Sequence, residues 1–186
     1  KITLLNDMME VFWLAHHLLG HRLQDRQPEQ LDEAYALLKK QRPLVRKYES
    51  DLFADMLLSK ESVLAQAWNG QAHRLTSEHP EFHFVVPQEG ASLFIDSLVL
   101  LRTAPHPEAA HRFIDFLLDP QRSRQNMEAS LYPMPNATAC ALLPAAIRDD
   151  QTSFPQDQAM GQFNIMSDLG EYRRLIQNRW ERLQAE

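Results

Sequence analysis

Short apolar runs of strand length recur along this 186-residue chain, and stretches of helical periodicity separate them. That alternation is the strongest constraint on the fold. Ile2-Thr3-Leu4-Leu5 reads as a buried strand. Asn6-Asp7 supplies a helix N-cap, and the following helix runs through Met8-Met9-Glu10-Val11-Phe12-Trp13-Leu14 to a stop at Gly20. Pro28 opens a second helix with Leu31, Ala34, Tyr35, Leu37 and Leu38 along one face, ending before Pro43. Residues 62–68 read as a strand, Asn69-Gly70 breaks it, and a short helix continues to about Ser77. Further strands are expected over 82–86, stopped by Pro87, and over 93–101. Helices follow over 107–118 and 120–130, then a rigid turn over 132–136. A last amphipathic helix covers roughly 168–183, with Leu169, Tyr172, Leu175 and Trp180 as its apolar face. Strands alternating with helices specify an α/β architecture with a largely parallel sheet.

Charge and length narrow the function classes. The formal net charge is −6, which opposes nucleic-acid phosphates and suits a cationic ligand. No apolar run approaches the length of a membrane span. The single cysteine, Cys140, excludes an intrachain disulfide and has no evident base beside it, so it reads as a structural thiol. The chain opens on a strand with neither an initiator Met nor a signal peptide, so an N-terminal part is expected to precede Lys1.

Several residues stand out for their chemistry. Asp7 and Glu10 lie three apart at a helix start behind a strand. Two carboxylates there can grip a cation at the carboxyl end of a sheet, or form a capping box. Trp68 precedes the Asn69-Gly70 turn, where its ring can lie against methylenes, face an ammonium group or join the core. Phe94 and Asp96 alternate along one strand and share a face; a carboxylate buried there needs a partner. His17 and His21 are four apart, but Gly20 interrupts the helix and no third ligand is near, so no metal site is expected. The remaining histidines, 16, 73, 79, 83, 106 and 111, sit among surface-type residues and read as solvated. No nucleophile–base set, phosphate-binding loop or dinucleotide fingerprint is present, so neither an enzyme nor a cofactor is indicated.

Taken in order, the motifs resemble one family. Leu4-Leu5-Asn6-Asp7-Met8-Met9-Glu10-Val11-Phe12, Ala34 to Lys40, Ala67-Trp68-Asn69-Gly70, and Pro87-Gln88-Glu89-Gly90 before Phe94-Ile95-Asp96-Ser97-Leu98 carry the likeness. So do the run from Phe113 to Pro120 and Tyr132-Pro133-Met134-Pro135-Asn136. Together they are similar to the periplasmic spermidine/putrescine-binding proteins, over the C-terminal part of that family's pattern.

The resemblance implies a type II periplasmic binding protein-like clamshell of α/β class, with a polyamine held between two lobes. Residues 1–91 and 141–186 would form most of the C-terminal lobe. Residues 92–140 would be a crossover segment of the N-terminal lobe, the remainder of which would precede residue 1. By similarity, Asp7, Glu10 and Asp96 would bind amines, and Trp68, Phe94 and Tyr132 would line the trough. The implied partners are the polyamine, the permease of an ABC importer or a membrane sensor, and the chain's own missing lobe. The implied location is the periplasm.

Two departures bear on ligand length: Phe94 stands where spermidine-preferring members carry Trp, and Met166 falls about where the family has a ligand-contacting amide. They leave putrescine, spermidine, norspermidine or another organic cation open.

Overall fold

Parallel strands organise the computed structural model, which describes residues 1–151, 153–154 and 163–185. The chain divides into two compact units. Lys1–Trp68, Val86–Leu93 and Gln162–Glu186 form the first; Asn69–Val85 and Phe94–Gly161 form the second. These units group residues 69–85 and 141–161 with the crossover segment, a division different from the lobe boundaries the resemblance implies.

The first unit is built on strand β1 (Ile2–Leu4). β2 (Val45–Tyr48) and β3 (Leu64–Ala65) pair with it in parallel, in the order β2-β1-β3. The Ile2↔Leu64 and Thr3↔Ala65 register is extended by hydrogen bonds from Val63 N to Lys1 O (3.1 Å) and from Gln66 N to Thr3 O (2.9 Å). β2 carried no apolar signal because it is an edge strand with exposed Arg46 and Lys47. A second parallel pair, β4 (Ala91–Leu93) with β5 (Phe163–Ile165), belongs to the same unit.

Helix α1 (Met8–Leu18) packs with α2 (Pro28–Gln41) and with the last helix, α9 (Tyr172–Ala185). Asp7 caps α1, its Oδ1 accepting from Met9 N and Glu10 N at 2.8 and 3.1 Å. Val11, Phe12, Trp13 and Ala15 from α1 join Leu31, Ala34 and Leu38 from α2 in the core. Leu169, Tyr172, Ile176, Trp180 and Leu183 join them, and Trp180 meets Tyr48 edge-on at 4.7 Å. The last helix begins later than its periodicity suggests. Gly170, at φ 54°, closes a turn in which its N–H donates to Asp168 Oδ1. A short helix, α3 (Phe53–Leu58), precedes β3 and was not foreseen.

The second unit contains helices α4 (Asn69–Glu78), α5 (Pro107–Leu118), α6 (Pro120–Ser130), α7 (Ala137–Ala141) and α8 (Ala145–Arg148). α5 and α6 keep the bounds their prolines signal at N1, and Asp119 caps α6 through Gln121 N and Arg122 N. Asn136 ties the unit together. Its Nδ2 donates to Leu118 O and Ser123 Oγ, while its Oδ1 caps α7 at Ala139 N. Met127, Ala139 and Leu143 form a small core, and the Cys140 thiol packs at its margin as a structural group.

Three strand expectations need correction. Only Leu64–Ala65 of 62–68 is a strand. Residues 82–86 alternate half-buried and exposed, yet make no ladder. Of 93–101 only Leu93 lies in a strand; Ile95, Leu98, Val99 and Leu101 are strongly exposed. A strand exists only through a continued ladder of backbone partners, and among the described residues the ladder of β4 ends at Leu93. α5 shows the same condition, with Phe113, Phe116 and Leu118 exposed and no residue buried.

Candidate functional site

Asp7 follows β1 by three residues, and Trp68 follows β3 by three. Because β1 and β3 are neighbouring parallel strands, both lie beyond the carboxyl ends of the same pair. The first crossover carries the chain from β1 to β2 on one side, and the next carries it to β3 on the other. Ligands of open α/β sheets bind in the crevice beyond the strand ends where the order reverses in this way. Leu5 N, donating to Gln66 Oε1 at 3.3 Å, ties the two outgoing segments together.

Glu10 is the distinctive group there. Its side chain turns inward, is 3% exposed, and accepts a 2.6 Å hydrogen bond from Ser92 Oγ on β4. Asp7 does the capping, but no reciprocal bond from Glu10 is seen, so only half of a capping box forms. Burial pushes the Glu10 carboxyl above its ordinary value; the Ser92 bond opposes this, and the nearby Asp7 charge adds to it. Among the described residues, the groups that act on the Glu10 carboxyl are the Ser92 hydroxyl and the Asp7 carboxylate, and no cationic side chain is among them. Trp68 is half-buried at its strand end.

The second unit holds the other aromatic candidates. Phe94 and Tyr132 meet edge-to-face, with centroids 6.2 Å apart at 67°. Gly70, in the first turn of α4, lies directly under the Tyr132 ring: a Cβ there would stand 2.7 Å from Tyr132 Cε2. Burial pushes the Tyr132 phenol up, opposed by a hydrogen bond at the Gln71 backbone and by the Arg74 charge. Asp96, expected to be buried on a strand, is exposed on an unpaired segment. The structure therefore associates Asp7 with Glu10 in one unit and Phe94 with Tyr132 in the other.

Two histidine readings change. His16 is buried, 1% exposed, with Nδ1 bonded to Phe12 O at 2.9 Å and Nε2 unpartnered. Its position on the core face of α1 outweighs its polar neighbours in sequence. His73 is half-buried and pairs with Asp150 at 2.8 Å, a bond shared with Ser153. His17 stacks on Trp13 and bonds Glu89 O, while His21 pairs with Glu33, so each ring is engaged separately. Among the described residues no group of His, Cys, Asp and Glu is arranged to hold a metal ion, and no helix is long and apolar enough to cross a membrane.

Ser92 was missed from sequence. No local signal marked it, because its partner Glu10 lies 82 residues away in sequence.

The relationships of the chain to known proteins identify its class. It belongs to the bacterial extracellular solute-binding protein family, whose pattern matches residues 1–155. The spermidine/putrescine-binding periplasmic protein of Salmonella typhimurium is 30% identical over 185 residues, covering 100% of this chain and 53% of that protein. A solved structure from Listeria monocytogenes superposes with a TM-score of 0.89 at 26% identity, over 99% of this chain and 57% of that one. The spermidine/putrescine ABC transporter substrate-binding protein of Streptococcus pneumoniae superposes at 0.80 with 23% identity, over 100% of this chain and 58% of that one. The chain thus has the type II periplasmic binding protein fold, and it spans about half the length of the relatives it matches.

Proposed function

We propose that the protein to which this chain contributes binds a polyamine of the spermidine/putrescine class in the periplasm and delivers it to an ABC importer. The observation that carries the reading is Glu10, a buried carboxylate at the carboxyl end of a central parallel strand, with Asp7 beside it and Trp68 beyond the neighbouring strand. A polyamine is a string of ammonium groups joined by methylenes. Each ammonium that leaves water needs an anionic or carbonyl acceptor, and each methylene run favours a flat apolar wall. Carboxylates at Asp7, Glu10 and Asp96 and rings at Trp68, Phe94 and Tyr132 supply both kinds of partner. The lobe boundaries drawn from the resemblance, with 92–140 as the crossover segment, belong to the same reading: past β4, that segment packs on strands supplied from outside this chain, which would account for the exposed apolar residues of 94–101 and α5.

Calorimetry on the full gene product with spermidine and putrescine tests it. Glu10→Gln should weaken binding by about 2–5 kcal/mol, the cost of unpairing a buried charge, and Asp96→Asn should weaken it by less, since Asp96 is exposed in this chain. Unchanged affinity in both variants would remove the carboxylate site.

A further inference from the structure

We propose that Ser92 is a positioning residue for Glu10, holding one carboxylate oxygen so that the other is presented to the ligand's ammonium group. The inference rests on the reading of Glu10 as an ammonium-binding carboxylate and extends it to a residue outside the expected site.

The geometry is specific. Gly90, at φ 112°, closes a turn with its N–H on Pro87 O and launches β4. β4 is locked to β5 by parallel pairing in the register Ser92↔Asn164, so the Ser92 backbone has little freedom. From that fixed strand the hydroxyl reaches Glu10 Oε2 at 2.6 Å, within the short range of a hydroxyl donating to a charged carboxylate. An ionised carboxylate only accepts, so the hydroxyl is the donor. Glu10 has three rotatable side-chain bonds, and one anchored oxygen removes most of that freedom in advance of binding.

The electrostatics point the same way. Among the described residues, the groups acting on Glu10 are Asp7, the N-cap of α1, and the uncharged Ser92 hydroxyl on β4, with no charged group of α2 or α9 among them. With a second anion as its charged neighbour, Glu10 depends on Ser92 to favour the ionised form that a cation requires. Removal of the hydroxyl therefore has two consequences: a less ordered carboxylate, and one that takes up a proton at higher pH.

The test is calorimetric binding of spermidine and putrescine to the full gene product between pH 5 and 8, for wild type, Ser92→Ala, Ser92→Thr and Glu10→Gln. Polyamine ammonium groups, with pKa values about like that of lysine near 10.4, stay charged throughout. The acid limb of affinity thus reports titrating groups of the protein, carboxylates and histidines alike, and the difference between wild type and Ser92→Ala isolates the contribution of Glu10. Ser92→Ala should bind about tenfold more weakly at pH 7.5, from the loss of one hydrogen bond to a charged group. Its acid limb should also move to higher pH, a change that a purely structural role for Ser92 would not produce. Ser92→Thr keeps the hydroxyl on a strand and should restore both properties. Melting temperatures of the unliganded variants identify any that fail to fold, and Ser92→Thr then carries the comparison. If Glu10→Gln loses affinity while Ser92→Ala keeps the wild-type affinity and pH profile, the positioning role is overturned and the carboxylate site stands. If Glu10→Gln binds as wild type, the carboxylate site fails and the role of Ser92 falls with it.

Discussion

Replacing Gly70 by Ala isolates a single steric contact in the aromatic part of the site. Gly70 lies in the first turn of α4 and is not among the glycines with positive φ, so its backbone conformation would accept any residue. Helix propensity alone favours Ala by up to about 1 kcal/mol. The obstacle is space, because the new Cβ would lie 2.7 Å from Tyr132 Cε2 and 2.8 Å from both Cδ2 and Cζ. Carbon atoms pack at about 3.5–4.0 Å, so the ring must retreat by about 0.7 Å or more. Overpacking of this kind costs about 1–3 kcal/mol against a propensity gain of up to about 1 kcal/mol, leaving a net loss of up to about 2 kcal/mol. At about 2–4 °C per kcal/mol for a unit of this size, that lowers Tm by up to about 8 °C. The displaced ring also breaks its edge-to-face contact with Phe94, so polyamine affinity should fall together with stability. Thermal and urea unfolding of the full gene product would measure the first effect and calorimetry the second. The decisive comparison is the double variant Gly70→Ala/Tyr132→Ala. Without the ring, Ala at position 70 should become neutral or stabilising by up to about 1 kcal/mol, reversing the sign. An equal cost in both backgrounds would refute the steric argument.

Three further outcomes are expected. Trp68→Ala should cost about 1–3 kcal/mol of polyamine binding, and titrating the full gene product with spermidine should change its tryptophan fluorescence; a flat titration at saturation would count against stacking. The isolated 186-residue chain should self-associate through the exposed apolar residues of 94–101 and α5, and light scattering after size exclusion would contradict this by finding a stable 21.6 kDa monomer that binds spermidine at micromolar affinity. Burial pushes the His16 imidazole below its ordinary value, so the unfolded chain takes up its proton first and stability is lost as pH falls below about 6.5. Urea unfolding at pH 7.5 and 5.5 should show a smaller acid loss for His16→Leu than for wild type, and equal losses would exclude His16 as a source.

Local signals carried the helices. Pro28, Pro107 and Pro120 each open a helix at its first position, and Asp7 and Asp119 cap helices through their own side chains. These interactions close within a few residues, so sequence order alone contains them. Strands were legible only where the chain supplies its own partner. Ile2–Leu4 pairs on both sides, whereas the equally apolar 93–101 does not continue past Leu93, because a ladder is a non-local structure. The candidate site divides in the same way. Asp7 and Glu10 were visible as a carboxylate pair behind a strand, a pattern that fitted a capping box or a cation grip. Packing assigned the cap to Asp7 and buried Glu10 against Ser92, since that hydroxyl is 82 residues distant in sequence. Gly70 read as a turn breaker, and only the tertiary structure revealed that its missing Cβ makes room for Tyr132. His16 read as solvated because its sequence neighbours include polar residues, yet burial depends on which helix face meets the core, and that was decided by the packing of α1 with α2 and α9.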